Sequence, residues 1–306
     1  MSFAVGAARG AGVLGASNAA ASPTHKGGKV FSTAGGHVAL NGRGKRSASW
    51  SGISRGGARR GVVKVSAADG QDAYNKAMAE YSKTPFEYRH DLGLYYHTIL
   101  PNLLVGTQPV STADIDRLHD VEGVTCMFDT QMDKDKEHWG VDAGALKHQM
   151  DQRGVEHWRH PFLDFNADSL REGLPHAVAA MDKALRNGHV VYCHCTAGMG
   201  RSPGVAIAYL FWCHQFETLD DAYDYLTSRR PCGPKKEAIR GATLDMLAAH
   251  GDALPSELVA AGEEGNPRGT TLTVEERWKI VSKLRIAMGD DPEACLQSPT
   301  GAVNNR

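Results

Sequence analysis

One stretch limits the folds open to this chain more than any other: His189 to Tyr209, HVVYCHCTAGMGRSPGVAIAY. It opens with a short β-branched and apolar run, passes through small residues, and closes in an apolar pattern of helical character. Read as strand, loop and helix, it sets Cys195 at the end of a strand and Arg201 in the first turn of a helix. Between them stand Thr196, Ala197, Gly198, Met199 and Gly200, with two glycines and no acid. Such a loop suits an oxyanion. Glycines let backbone N–H groups converge on one point, and a helix N-terminus adds unpaired donors and its positive dipole end. Arg201 can fork two more donors onto the same group. A phosphate held there would sit over the Cys195 sulfur, and the donors that hold it also favour thiolate over thiol. One loop thus offers nucleophile, cradle and clamp.

Cys193-His194-Cys195 also looks rich in metal ligands. No Cys-x-x-Cys or His-x-x-x-His pair elsewhere completes a tetrahedral site, so neither a metal nor another cofactor is expected. The string His-Cys-x5-Arg-Ser in its strand-to-helix context is far more specific than an isolated Cys or Gly-x-Gly.

That string resembles the signature of the cysteine-dependent protein tyrosine and dual-specificity phosphatases. Its filling, Cys-Thr-Ala-Gly-Met-Gly-Arg, resembles the glucan phosphatase branch, and the likeness extends over about residues 72–288. It includes Tyr88-x-His90-Asp91-Leu92-Gly93, Val105-Gly106-x-Gln108-Pro109, Gln131-x-Asp133-x-Asp135, Arg230-Pro231-Cys232-Gly233-Pro234 and Ala238-Ile239-Arg240-Gly241-Ala242-Thr243. Two positions depart from the plant members it most resembles: Ser202 replaces an alanine and Asn166 an aspartate. The resemblance implies a dual-specificity phosphatase fold acting on starch phosphoglucan, with C3 as the suspected position. A protein dual-specificity phosphatase and a weakly catalytic glucan-binding scaffold are the alternatives.

Charge divides the chain sharply. Residues 1–68 hold ten Lys or Arg and no acid, leaving 24 basic against 35 acidic residues in the remainder. An acid-free leader bearing Arg and Ser reads as an organellar transit peptide, expected to be disordered, and the resemblance points to the chloroplast. No apolar run in it is long enough for a signal peptide or a membrane span. The acidic remainder argues against nucleic acid or an anionic membrane as partner. A monomer is expected.

Strands alternating with helices imply an α/β layered domain with a largely parallel sheet over residues 72–250. Asp72–Lys83 reads as a helix stopped by Pro85, Ile99–Gly106 as a strand, and Ser111 as the cap of a helix through Leu118. Val124–Phe128 reads as a buried strand, Asp129–Trp139 as a polar acidic loop, Gly140–Gln152 as a helix and Val155–Phe162 as another strand. Leu219–Arg229 and Lys235–His250 read as helices. Residues 251–288 form a linker and an amphipathic helix, Thr273–Met288, whose stripe of Val274, Trp278, Val281, Leu284 and Arg285 docks on the domain. Residues 289–306 are expected to be a disordered tail.

A thiolate displacing an alcohol from phosphorus needs a separate proton donor on a loop above the cradle. Asp164 and Asp168 both qualify, and Asp168 also suits the bland role of helix N-cap. The resemblance selects Asp164. In the two-step reaction implied, Cys195 takes the phosphoryl group while Asp164 protonates the leaving oxygen. Asp164 then deprotonates a water that hydrolyses the phosphocysteine. Arg201 and the amides of Thr196 to Gly200 hold the phosphoryl oxygens, Ser202 donates to the departing thiolate, and His194 orders the loop from beneath. The resemblance further places Phe86, Tyr88, Trp139 and Phe165 against glucan, with Phe86 in place of a tyrosine.

Overall fold

The computed structural model describes residues 67–83, 86–214, 216–263 and 265–296, so residues 1–66 of the expected leader lie outside the described residues. Five strands form one sheet in the order β1-β2-β5-β3-β4. They are β1 (Tyr96–Leu100), β2 (Leu103–Gly106), β3 (Cys126–Asp129), β4 (Glu156–Arg159) and β5 (Val191–His194). Only β1 runs antiparallel to its neighbour.

The single strand expected over Ile99–Gly106 is instead broken by a tight turn that separates β1 from β2. Pro101 lacks the N–H that a continuing ladder needs, and the chain reverses at Pro101 and Asn102. Asn102 uses its carbonyl to accept from Val191 N at 2.9 Å, which starts the pairing of β2 with β5.

Helices cover both faces. On one lie α5 (Ala167–Arg186) and α6 (Arg201–Trp212), with α7 (Leu219–Thr227), α8 (Lys236–Ala248) and α9 (Val274–Ala287) packed around them. All twelve residues of α6 are buried, so this helix is the axis of the main core and is apolar all round apart from its N-terminal Arg201 and Ser202. Burying Val205, Ile207, Leu210 and Phe211 contributes about 1.5–3 kcal/mol each. On the other face, α2 (Thr112–Glu122) and α4 (Ala143–Arg153) close a smaller core around Leu104, Ile115, Leu118, Met127 and Leu146. Ser111 caps α2 in a capping box with Asp114.

The first helix, α1 (Ala67–Ser82), begins earlier than Asp72. The polar loop expected over Asp129–Trp139 contains a helix, α3 (Asp133–His138), with Trp139 at its C-terminal end. Acidic residues suit a helix N-terminus, and the Asp135 carboxylate accepts from Met132 N at 3.1 Å. Asp168 caps nothing: the α5 cap is Asn166, whose side chain accepts from Ser169 N at 2.7 Å. Asparagine caps a helix as well as aspartate does.

The linker between α8 and α9 is clasped rather than loose. Arg171 forks onto Asp245 at 2.8 and 2.6 Å and donates to Val259 O, while buried Arg240 donates to Ala261 O at 2.7 Å and Arg268 O at 3.3 Å. The α9 stripe is shifted from its expected register: Ile280 and Leu284 are fully buried, but Val274 is 73% exposed. Polar anchors set that rotation. Arg277 donates to Phe216 O at 2.5 Å, and Lys283 reaches Met246 O and Ala249 O at the end of α8. Within the expected tail, residues 292–296 form a short helix, α10 (Pro292–Leu296), tied down where Ser282 Oγ donates to Cys295 O at 2.8 Å.

Candidate active site

β5 is the central strand, and its last residue pairs with Gly106 on one side and Asp129 on the other. The loop that follows therefore emerges between the carboxyl ends of β2 and β3, where open parallel sheets bind ligands. Cys195 leaves the strand there, 2% exposed. Gly198 N donates to its sulfur at 3.2 Å and Ser202 Oγ donates at 3.4 Å. Both donors point at the sulfur that would attack phosphorus.

The loop is built to one shape from below. Gly198 has φ of 65°, and a Cβ there would stand 2.4 Å from Gly106 O, so only glycine fits. Arg230, fully buried, donates from Nε to Gly198 O at 2.7 Å and from Nη2 to Ala197 O at 3.0 Å. With two loop carbonyls turned down onto Arg230, the loop amides are free to face the opposite way. Thr196 O accepts from Gln108 N at 3.0 Å, and Thr196 Oγ1 accepts from Gln131 Nε2 at 3.0 Å. Met199 O accepts from Gly233 N at 3.0 Å. His194 is buried beneath, and burial pushes its imidazole down to about 4, which keeps it neutral. Asp129, also fully buried, pairs with Lys136 and Arg159 and lies 3.4 Å from His157. Burial alone would raise this carboxyl, but His157, His194 and Lys136 outweigh it and hold it far below the usual carboxylate range.

Arg201 starts α6 with its guanidinium 4% exposed between two carboxylates. Nη2 donates to Asp164 Oδ2 at 2.7 Å and to Thr196 Oγ1 at 3.1 Å; Nη1 pairs with Asp135 and donates to Phe162 O at 3.2 Å. Among the described residues its buried Nε has no hydrogen-bond partner, a donor left over for a ligand. Asp164, in the loop between β4 and α5, is raised above its ordinary value by burial, against the pull of Arg201 and with a smaller push from Asp135. A carboxyl raised in this way suits a proton donor. Asp168 stays exposed and makes no such contact in the structure.

The four aromatics singled out from sequence do not form one surface. Tyr88 and Trp139 meet edge to face at 5.2 Å, and Trp139 stacks on His90 at 5.0 Å. Phe165 joins them only through Tyr74 of α1, whose ring lies 5.4 Å from both Phe165 and Trp139 and 5.7 Å from Tyr88. Tyr88 is 3% exposed, so its ring supports the wall more than it faces the cleft; Gln108 donates to its hydroxyl at 2.9 Å. Phe86, 44% exposed, lines a separate groove of about 330 Å³ beside the loop with Tyr88, Leu92, Tyr95, Met199 and Pro231.

Sequence reasoning did not assign Asp135, Tyr74 or Arg230 a role. Asp135 and Arg230 stand in quoted motifs, but their partners lie 66 and 32 residues away, which no local pattern announces. Among the described residues, no group of three or more His, Cys, Asp or Glu side chains is arranged to hold a metal ion.

A cysteine cradled by a strand-to-helix loop, an arginine at that helix's first turn and an acid on a facing loop define a class. Residues 108–240 match the family described as dual specificity phosphatase, catalytic domain. Among curated proteins it is similar to "Phosphoglucan phosphatase DSP4, amyloplastic" of Castanea sativa, 38% identical over 178 residues, or 58% of this chain and 47% of the other. It is also similar to "Phosphoglucan phosphatase LSF1, chloroplastic" of Arabidopsis thaliana, 30% identical over 177 residues, or 58% of this chain and 29% of that one. The chain thus spans about half, or less, of the length of these relatives. Among solved structures, that of PTPMT1 aligns with a TM-score of 0.38 and 23% identity over 49% of this chain and 97% of the other.

Proposed function

We propose that this chain is a phosphoglucan phosphatase that removes phosphate monoesters from the glucose units of starch, and that it acts in the plastid. The observation that carries the chemistry is Cys195 accepting from Gly198 N and Ser202 Oγ beside an Arg201 whose Nε has no partner among the described residues. The two plant relatives carry the substrate, and their amyloplastic and chloroplastic names carry the compartment. The acid-free leader agrees with a transit peptide.

The mechanism follows from placement. Cys195 thiolate attacks phosphorus as the P–O bond to the sugar breaks, and Asp164 gives its proton to the leaving oxygen. Asp164 then takes a proton from water, whose oxygen displaces the sulfur and frees phosphate. Ser202 donates to the sulfur as it leaves, and Arg201 with the loop amides offsets charge on the equatorial oxygens. Trp139 and Phe165 offer ring faces to sugar C–H groups, and Phe86 offers a third from the side groove. The loop side chains Thr196, Ala197 and Met199 add no charge, which suits a monophosphate on a neutral polymer. C3 is the position assigned, on the resemblance alone.

The test is competition between solubilised phosphorylated amylopectin and a phosphotyrosine peptide at equal phosphate. Higher kcat/KM on the glucan supports the reading. Higher kcat/KM on the peptide makes this a protein phosphatase, and glucan binding with turnover of neither makes it a scaffold.

A further inference from the structure

Helix α1 lies outside residues 108–240, yet it reaches the reacting groups. Tyr74 OH donates to Asp164 Oδ2 at 3.1 Å, the same oxygen that accepts from Arg201 Nη2 at 2.7 Å. The other oxygen, Oδ1, accepts only from Phe165 N, at 3.1 Å, among the hydrogen bonds of the described residues. One oxygen of the general-acid candidate is therefore anchored twice by side chains and the other is held once by backbone. The helix that carries Tyr74 is itself fixed. Asn75 pairs with the Tyr88 backbone in both directions, accepting from its N–H at 2.8 Å and donating to its carbonyl at 3.1 Å, and Gln71 accepts from His90 N at 3.1 Å. Met78 is buried in the core, and Tyr81 meets Phe165 at 5.8 Å.

We propose that Tyr74 is a positioning residue for proton delivery: with Arg201 it fixes Asp164 Oδ2, so that Oδ1 is the oxygen that carries the proton to the leaving group. In the first step the proton passes from Oδ1 to the sugar oxygen as the P–O bond breaks and the P–S bond forms. The carboxylate left behind is held at Oδ2 by Tyr74 and Arg201. In the second step Oδ1 takes a proton from water as the new P–O bond forms and the P–S bond breaks. Tyr74 keeps its own proton throughout; burial and the neighbouring Asp164 push its hydroxyl well above its ordinary value, so it stays a donor. The charged and titratable groups that face Asp164 are Arg201 from α6, Asp135 from α3, and Tyr74 and Tyr81 from α1. Removing the Tyr74 hydroxyl takes away a donor that favours the ionised carboxyl, so the group stays protonated to higher pH.

This proposal rests on the phosphatase reading, and the experiment separates the two. Wild type and Tyr74→Phe are compared on phosphorylated amylopectin and on aryl phosphates whose phenols span a wide range of acidity. Tyr74→Phe keeps the ring against Phe165 and Trp139, so KM for glucan should hold. We expect kcat on glucan to fall about tenfold, the worth of one hydrogen bond to a charged group. For the most acidic phenol, which needs no protonation, kcat/KM, which reports the first step alone, should stay within about twofold. The dependence of rate on leaving-group acidity should therefore steepen, and the alkaline limb of kcat should move to higher pH. A loss equal across all leaving groups, or no loss at all, overturns the proposal, because a merely structural tyrosine affects every substrate alike. Wild-type turnover of aryl phosphates without glucan overturns only the substrate assignment. Wild-type inactivity on both overturns the phosphatase reading and this proposal together.

Discussion

Arg230 holds Gly198 by its carbonyl oxygen, Nε to O at 2.7 Å, with the guanidinium wholly out of solvent. The contact explains how this buried loop keeps its shape. Its carbonyls have a fixed partner on the far side, so its N–H groups need not turn inward to satisfy them. Replacing Arg230 by Leu leaves Ala197 O and Gly198 O without that partner, at about 1–3 kcal/mol for each buried orphan. We expect Arg230→Leu to lower the urea midpoint and to reduce kcat on every phosphate ester alike. Unchanged turnover would show that the cradle holds its shape without it.

Asp164→Asn should slow glucan dephosphorylation by roughly 10²–10⁴-fold, the usual worth of a positioned general acid. An aryl phosphate with an acidic phenol should be affected far less. Because burial raises the Asp164 carboxyl, the wild-type rate should fall on the alkaline side as that group loses its proton, and the fall should be absent in Asp164→Asn. A larger defect in Asp168→Asn would mean that the exposed carboxylate, not the buried one, serves the leaving group.

Beneath the loop, Asp129 is held far below the usual carboxylate range. A depressed carboxyl contributes stability above its unfolded value, about 3.9, and that stability is lost as the pH falls below it. Removing the charge also leaves the buried Lys136 ammonium without its carboxylate partner. Asp129→Asn should therefore cost about 3–5 kcal/mol at pH 7 by urea denaturation. The gap to wild type should narrow as the pH is lowered through about 4 and beyond. A gap that is independent of pH would assign the cost to packing instead.

The strand, loop and helix around Cys195 could be read from residues because every local signal agrees there: an apolar run, two glycines at a turn, then an apolar helix. Helix α2 was legible through Ser111, whose cap is written in side chains four residues wide, and α9 through its amphipathic spacing, although its stripe is rotated. The short helix α3 was not, since its six residues are all polar and its stability comes from Asp135 and the tertiary pair with Arg201. The role of Tyr74 was invisible for a different reason. Its partner Asp164 is 90 residues away, and a tyrosine on an amphipathic helix reads as packing until the fold brings it to the acid.

Trp139→Ala and Phe165→Ala should raise KM for glucan more than KM for a small aryl phosphate, because stacking on sugar contributes to binding and not to chemistry at phosphorus. Phe165 also sits at φ of 54°, a conformation costly for a bulky side chain, which fixes the turn next to Asp164. Equal losses on both substrates would assign these rings to support of α1 and the Asp164 loop.

The most direct measurement is phosphate release from solubilised phosphorylated amylopectin by wild type and by Cys195→Ser, alongside binding of the same glucan. The cradle amides, Arg201, Trp139 and Phe165 remain in the variant, but the thiol aligned with them is gone. The account predicts release by wild type, loss of at least three orders of magnitude in Cys195→Ser, and glucan binding retained by both. A variant that keeps a tenth or more of the wild-type rate would contradict it.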